Sequence, residues 1–248
     1  MALSARVARI NVTPVKSLRL HHPDAVELGL DGAREDRRFL LVDDGRRLYN
    51  GKRDTSLVRT SASWEPESRV LAMTLPSGER LDGAAVRTGG ALVNVYGRQV
   101  RGHVIEGPWA DALSDLAGRS LTLVEREDGT WATDARPATL VSRASLGLID
   151  GDGRRFRMLF ELDGLGEHGE DAWRGRRLRV GEATLLVGDP VPRCAVPSAS
   201  PDTGCRDRDV LRELVERRGL VDGEACLGVY ADVLEPGLVR VGDAITLL

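Results

Sequence analysis

Cysteine is scarce in this chain of 248 residues. Cys194, Cys205 and Cys226 are its only three, an odd and sparse set that cannot build the disulfide framework of a small secreted protein and leaves at least one thiol free. The four histidines, at 21, 22, 103 and 168, are scattered, and there is no CxxC pair and no HExxH, so a structural zinc site of the usual spacing is not expected. No apolar run approaches the roughly 18 residues needed to cross a bilayer. Met1 to Arg9 also lacks the apolar core of a secretory signal, which makes the expected setting cytoplasmic and away from membranes.

Other absences narrow the chemistry. There is no GxGxxG after a strand and no Walker loop, and Gly151-Asp152-Gly153 is an isolated glycine pair, so nucleotide binding by those routes is not expected. Ser142 and Ser145 stand outside any GxSxG elbow, which argues against serine hydrolysis. No repeat, low-complexity tract or heptad pattern supports a solenoid or coiled coil. With 38 acidic against 35 basic side chains the net charge is −3. Nothing in that balance draws nucleic acid to the molecule as a whole, so any anion site has to be local.

What remains is a foldable chain, 42% hydrophobic and 29% charged, of a length that suits two modest domains. Alternating or continuous apolar segments predict strands at 7–12, 38–42, 70–75, 92–96, 121–124, 138–141, 156–162, 178–180, 183–187, 227–233 and 239–248, with Asp43-Asp44-Gly45 turning into a hairpin that ends near Leu48-Tyr49. Helical spacing appears at 108–117, opened by Pro108 and closed by Gly118, and again at 144–150. A third helix is predicted at 207–218, with Asp207 as cap and Gly219 beyond its end. The polar stretch Glu125–Thr130 reads as a loop. The fold class expected is mostly β (α+β), with a barrel or sandwich character and a few peripheral helices. The division into domains is expected at residues 1–118 and 119–248.

Two short segments carry chemistry of their own. Cys194 follows Pro192-Arg193, and a neighbouring guanidinium favours the thiolate, which is both a nucleophile and a soft metal ligand. The alternative, a small buried hydrophobe, stays open for Cys194 and is stronger for Cys205 and Cys226. Pro14-Val15-Lys16-Ser17 sets a cation beside a hydroxyl, a pairing able to hold a phosphate oxygen or simply to form a surface turn. Arg37, Arg157 and Arg193 can likewise be phosphate clamps or solvated charges.

Taken in order, Pro14-Val15-Lys16-Ser17, Asp36-Arg37-Arg38-Phe39, Phe156-Arg157, Glu170-Asp171-Ala172-Trp173, Pro192-Arg193-Cys194, Pro201-Asp202-Thr203-Gly204 and Val241-Gly242-Asp243 resemble the MOSC family, named for the C-terminal domain of molybdenum cofactor sulfurases. The resemblance covers nearly the whole chain and implies an N-terminal MOSC-associated β-barrel domain followed by a MOSC β-barrel domain. The arrangement is similar to the amidoxime-reducing component and its bacterial relatives, which reduce N-hydroxylated compounds at a molybdenum centre. It implies molybdenum cofactor (molybdopterin) bound with Cys194 as catalytic residue and metal ligand, and Lys16, Ser17, Arg37, Arg157, Arg193 and Tyr230 around the pterin and its phosphate. A small-molecule substrate is then expected. The resemblance also implies a separate electron-transfer protein, such as a ferredoxin or flavoprotein reductase, and the chain has no ferredoxin cysteine motif of its own. The alternative in another class is a non-catalytic carrier of the cofactor or of persulfide sulfur. Three departures bear on that choice: Met158-Leu159 where relatives have Asn, Ala135-Arg136 where they have Thr-Ser, and Pro197-Ser198-Ala199-Ser200 where they have Thr-Thr-x-Asp.

Overall fold

Strand-forming sequence dominates, and the computed structural model, which describes residues 5–149 and 152–248, is accordingly mostly β. A seven-stranded sheet runs in the order Arg6–Ile10, Phe160–Asp163, Ala138–Ser142, Cys226–Glu235, Ala183–Pro192, Arg177–Val180 and Ile245–Leu247. All neighbours are antiparallel except Ala138–Ser142 with Phe160–Asp163. An antiparallel bridge from Arg6 to Ala244 and a bond from Ile245 N–H to the Ala5 carbonyl at 2.8 Å bring the two edges together, so the sheet nearly closes into a barrel. Its interior is filled by Val7, Ile10, Leu140, Phe160, Leu162, Leu185 and Val229, all buried.

The second sheet has five strands: Leu48–Tyr49, Phe39–Asp43, Leu121–Arg126, Arg98–Glu106 and Val86–Val95. The run Phe39-Leu40-Leu41-Val42 is apolar throughout because both of its faces are covered. Phe39 and Leu41 enter one core with Trp109 and Leu113, and Leu40 and Val42 enter another with Val93 and Val124. Two three-stranded sheets complete the fold, Gly237–Arg240 with Ala25–Gly29 and Gly32–Ala33, and Ser61–Glu65 with Val70–Thr74 and Arg80–Ala84. Sheet pairing crosses the expected division at residue 118: Arg6–Ile10 joins the sheet built from the second half, and Leu121–Arg126 pairs with Phe39–Asp43 of the first.

Among the described residues three α-helices form, at Pro108–Ala117, Arg143–Gly147 and Val210–Arg218. Pro108 opens the first and Gly118, left-handed, closes it as expected. Ser142 is explained by the second, whose cap it is: its hydroxyl accepts from Ser145 N–H at 3.0 Å. Asp150, the expected end of that helix, and Gly151 lie outside the described residues. The third is capped by Asp209 rather than Asp207, because the Asp207 carboxylate is held by the Arg155 guanidinium at 2.8 Å. The single strand expected over 239–248 is two, Gly237–Arg240 and Ile245–Leu247, separated by the turn at Val241-Gly242-Asp243.

Glu125 and Arg126 are strand residues, not loop. Glu125 is fully buried and bonded to Arg38, Arg69 and Arg87 at 2.9, 2.7 and 2.8 Å. Burial pushes its carboxyl up, but the three guanidiniums outweigh burial and hold it far below the usual carboxylate range. A folded pKa below the unfolded value near ~4.3 contributes stability that is present above that pH and is lost as pH falls below it. Glu125→Gln is therefore expected to cost about 2–3 kcal/mol at neutral pH, and the gap to wild type should narrow below about pH 4, read by denaturant unfolding at both pH values.

Candidate functional site

Two segments twenty residues apart are zipped into one wall. Lys16 N–H donates to the Phe39 carbonyl at 2.9 Å, Phe39 N–H to Pro14 at 2.8 Å and Arg37 N–H to Thr13 at 2.6 Å, while the Asp36 carboxylate accepts from Thr13 N–H at 2.8 Å. Lys16, Ser17 and Arg37 thereby face the same cleft. The opposite wall comes from the segment before the Phe160–Asp163 strand. Its backbone leaves the ladder: Asn11 Nδ2 donates to the Met158 carbonyl at 2.8 Å and Leu159 N–H donates to Thr139 Oγ1 at 2.8 Å. Residues 156–159, expected as strand, consequently form a turn that carries Arg157 at φ 55°.

Cys194 lies just past the end of the Ala183–Pro192 strand, half-buried, with Arg193 beside it. The loop after it is pinned at three places. Thr55 Oγ1 donates to the Gly204 carbonyl at 2.6 Å, Arg154 forks onto Asp202 at 2.8 and 2.9 Å, and Arg155 forks onto Asp207. Gly204 is required there, since at φ 72° a Cβ would stand 2.6 Å from the Thr55 carbonyl oxygen. Cys226 is buried, with its thiol pushed up by burial, and Cys205 is exposed outside the cleft lining.

The cleft brings together all seven residues singled out in the sequence: Lys16, Ser17, Arg37, Arg157, Arg193, Cys194 and Tyr230. It also recruits residues that the sequence did not single out, namely Asn50, Lys52, Tyr96, Asp134, Arg154 and Arg155. Of the three departures, Met158, Leu159 and Ser200 line the cleft. Arg136 turns outward to Asp232 at 3.0 Å, and its near neighbour Asp134 enters instead.

Electrostatically the lining is lopsided: among the described residues its basic side chains are Lys16, Arg37, Lys52, Arg154, Arg155, Arg157 and Arg193, and its one carboxylate is Asp134. Asp134 bridges Lys16 at 2.9 Å and Lys52 at 3.5 Å. Burial pushes its carboxyl up, yet Lys16, Lys52 and Arg37 prevail and hold it down at about 2. Arg37 pairs with Asp36 and donates to the Arg157 carbonyl at 3.2 Å. Arg157 donates to the Leu18 carbonyl at 2.8 Å and Arg193 to the Phe156 carbonyl at 2.6 Å, but among the described residues neither has a carboxylate within ion-pair distance. Burial first and Arg37 second push the Arg157 guanidinium down to about 9, against Asp36 and Asp134. Arg193 is lowered by burial, and its Nε is buried with no hydrogen-bond partner among the described residues. With Arg37, Arg154 and Arg155 paired with Asp36, Asp202 and Asp207 and with Lys16 and Lys52 sharing Asp134, the excess positive charge of the cleft lies on Arg157 and Arg193, which suits an anion.

Backbone strain points the same way. Ser17, Arg37, Tyr96 and Arg157, all on the cleft wall, have φ of 76°, 50°, 51° and 55°, a left-handed conformation that costs a non-glycine residue about 1–2 kcal/mol. Such strain is retained where surrounding structure demands a side-chain position.

Comparison with known proteins gives two family matches: a model described as MOSC N-terminal beta barrel domain fits residues 4–104 and one described as MOSC domain fits residues 130–246. The mitochondrial amidoxime reducing component 2 of Bos taurus is 23% identical over 286 aligned positions, covering 96% of this chain and 82% of that protein. Among solved structures, the YuaD protein of Bacillus subtilis is 12% identical with a TM-score of 0.48, covering 100% of this chain and 97% of that one. YiiM of Escherichia coli is 20% identical with a TM-score of 0.32, covering 46% and 54%.

Proposed function

Because the chain belongs to the MOSC family, with a MOSC N-terminal β-barrel domain followed by a MOSC domain, we propose that it binds molybdenum cofactor in this cleft and reduces N-hydroxylated small molecules. The observation that carries the reading is the pair of guanidiniums with no carboxylate at ion-pair distance among the described residues, Arg157 and Arg193, on the wall that also presents the Cys194 thiol. These residues fit the group: several cations and an unpartnered Arg193 Nε suit a pterin phosphate, and a thiolate suits a soft metal. Lys16, Ser17, Arg37, Arg157 and Arg193 hold the anionic part, Tyr230 borders the pterin, and Cys194 is the metal ligand and catalytic residue.

When bound, the cofactor supplies the two-electron redox chemistry that these side chains lack. The protein's own part is to fix that group, to screen its charge in a partly dry cleft and to admit the substrate. An amidoxime takes up two electrons and two protons and leaves as an amidine and water, the electrons coming from a separate redox protein such as a ferredoxin or flavoprotein reductase. The relative whose name carries amidoxime reduction spans nearly all of this chain, which supports the choice of reaction. Three free thiols suit a reducing, cytoplasmic setting. Among the described residues no helix is long and apolar enough to cross a membrane.

A second reading has its own observation. Met158 and Leu159 line the cleft with apolar side chains, where the resemblance implies an asparagine, and this favours a carrier that holds the cofactor, or a persulfide on Cys194, without turnover. The deciding experiment uses molybdenum-loaded protein with reduced viologen as donor and benzamidoxime as substrate. Formation of benzamidine, absent in Cys194→Ala, is the expected result. Full molybdenum occupancy with no benzamidine rejects the reductase and leaves cofactor carriage, whereas a Cys194 persulfide with no metal identifies sulfur carriage.

A further inference from the structure

Of the four strained residues on the cleft wall, cofactor binding accounts for Ser17, Arg37 and Arg157 and leaves Tyr96. Tyr96 and Gly97, at φ 51° and 89°, form the two-residue turn between the Val86–Val95 and Arg98–Glu106 strands. Asn-Gly fits such a turn without strain, and an aromatic residue does not. What the turn achieves is the placement of the ring. Tyr96 Oη accepts from the buried Asn50 Nδ2 at 2.7 Å, and Lys52 Nζ stands 3.9 Å from the ring centroid. Lys52 reaches Asp134 at 3.5 Å, longer than the 2.9 Å from Lys16 to the same carboxylate, and its side chain is 39% exposed. Engaged by Asp134 and by the Tyr96 side chain, its ammonium has a third donor for a ligand. Burial disfavours its charge, but Asp134, Tyr96 and Cys194 outweigh burial and keep it a cation.

Asn50, Lys52 and Tyr96 make a wall with two sides. Inward they line the cleft together with Cys194, and outward they line a shallow depression with Arg47, Leu48, Arg53 and Asn94. Among the described residues that depression has three cations and no carboxylate in its lining. Arg53 is occupied by Asp43 at 2.6 Å, whereas the Arg47 side chain has no ion pair among the described residues.

We propose that the depression outside the Lys52–Tyr96 wall selects the substrate, taking a small molecule that carries an anionic group, which Lys52 and Arg47 hold while its reacting end passes inward toward Cys194. Only the identity of the reacting end rests on the reductase reading; the anion preference rests on the lining. Unlike the buried Lys16 and Arg37, Lys52 and Arg47 are exposed to solvent and to an incoming molecule.

The test compares 4-carboxybenzamidoxime with benzamidoxime on cofactor-loaded protein, by equilibrium dialysis without any electron donor, so that the inner cations are occupied and no turnover occurs. Wild type is expected to bind the carboxylate compound about tenfold more tightly, the size of one charge-assisted hydrogen bond. Lys52→Met should abolish most of that preference, Arg47→Gln part of it, and Lys52→Arg should retain it, with unchanged melting curves. Equal binding of the two compounds by wild type, no binding of either, or a preference that survives in both Lys52→Met and Arg47→Gln overturns the proposal. Turnover is then read separately with reductant present. A carboxylate preference with neither compound reduced keeps the selection site and rejects the reductase, while reduction of both without a difference in affinity does the reverse.

Discussion

Replacing Arg157 by glutamine is expected to move two measurements in opposite directions: retention of the cofactor falls at least about thirtyfold, and the cofactor-free protein becomes more stable by about 0.5–2 kcal/mol. Both follow from the placement of the guanidinium. Arg157 stands beside Arg37, with no carboxylate at ion-pair distance among the described residues, and burial and Arg37 together push it down to about 9. A basic group whose folded pKa lies below its unfolded value destabilises the fold at every pH where it is charged in the unfolded chain, so removing the charge relieves the empty protein. Once an anion occupies the cleft the sign reverses, because the same charge then has a partner and its loss leaves that anion short of a donor. A cation present only for the architecture would behave differently, since its removal would lower stability with or without cofactor. Urea unfolding of cofactor-free protein and cofactor retention during gel filtration separate the two cases.

That Arg157 was legible as a candidate and Lys52 was not has a physical reason. The Phe156-Arg157 and Pro192-Arg193-Cys194 pieces are local, and a motif reads directly from adjacent residues. Lys52 and Asp134 gain their meaning only from partners 82 residues apart, joined across the cleft at 3.5 Å, and no spacing rule predicts that meeting. The strand pattern was readable wherever apolar residues alternate or run together, as at Phe39-Leu40-Leu41-Val42, whose continuous burial reflects cores on both faces. It does not hold at residues 156–159, whose apolar run predicts strand but whose backbone is met by the Asn11 and Thr139 side chains. Glu125 and Arg126 misled in the opposite sense: their charges read as a solvent loop, although Glu125 is buried against three arginines that lie 38 to 87 residues away in the chain. Capping by Asp209 in place of Asp207 was equally out of reach, since it depends on Arg155 claiming the other carboxylate.

Loss of the Cys194 sulfur carries the largest expected effect. The loop that bears it is fixed by the Thr55–Gly204, Arg154–Asp202 and Arg155–Asp207 contacts, none of which uses the thiol, so Cys194→Ala should fold as wild type does. The half-buried thiol sits on the wall of a cleft rich in cations, and sulfur is a soft donor suited to a metal such as molybdenum. The direct measurement is molybdenum and extractable pterin in wild type and Cys194→Ala, each expressed in a host that makes the cofactor and purified without oxygen. Stoichiometric molybdenum and pterin in wild type, with the metal lost from a folded Cys194→Ala, is the predicted result. Neither molybdenum nor pterin in wild type, or equal molybdenum in both proteins, would contradict it.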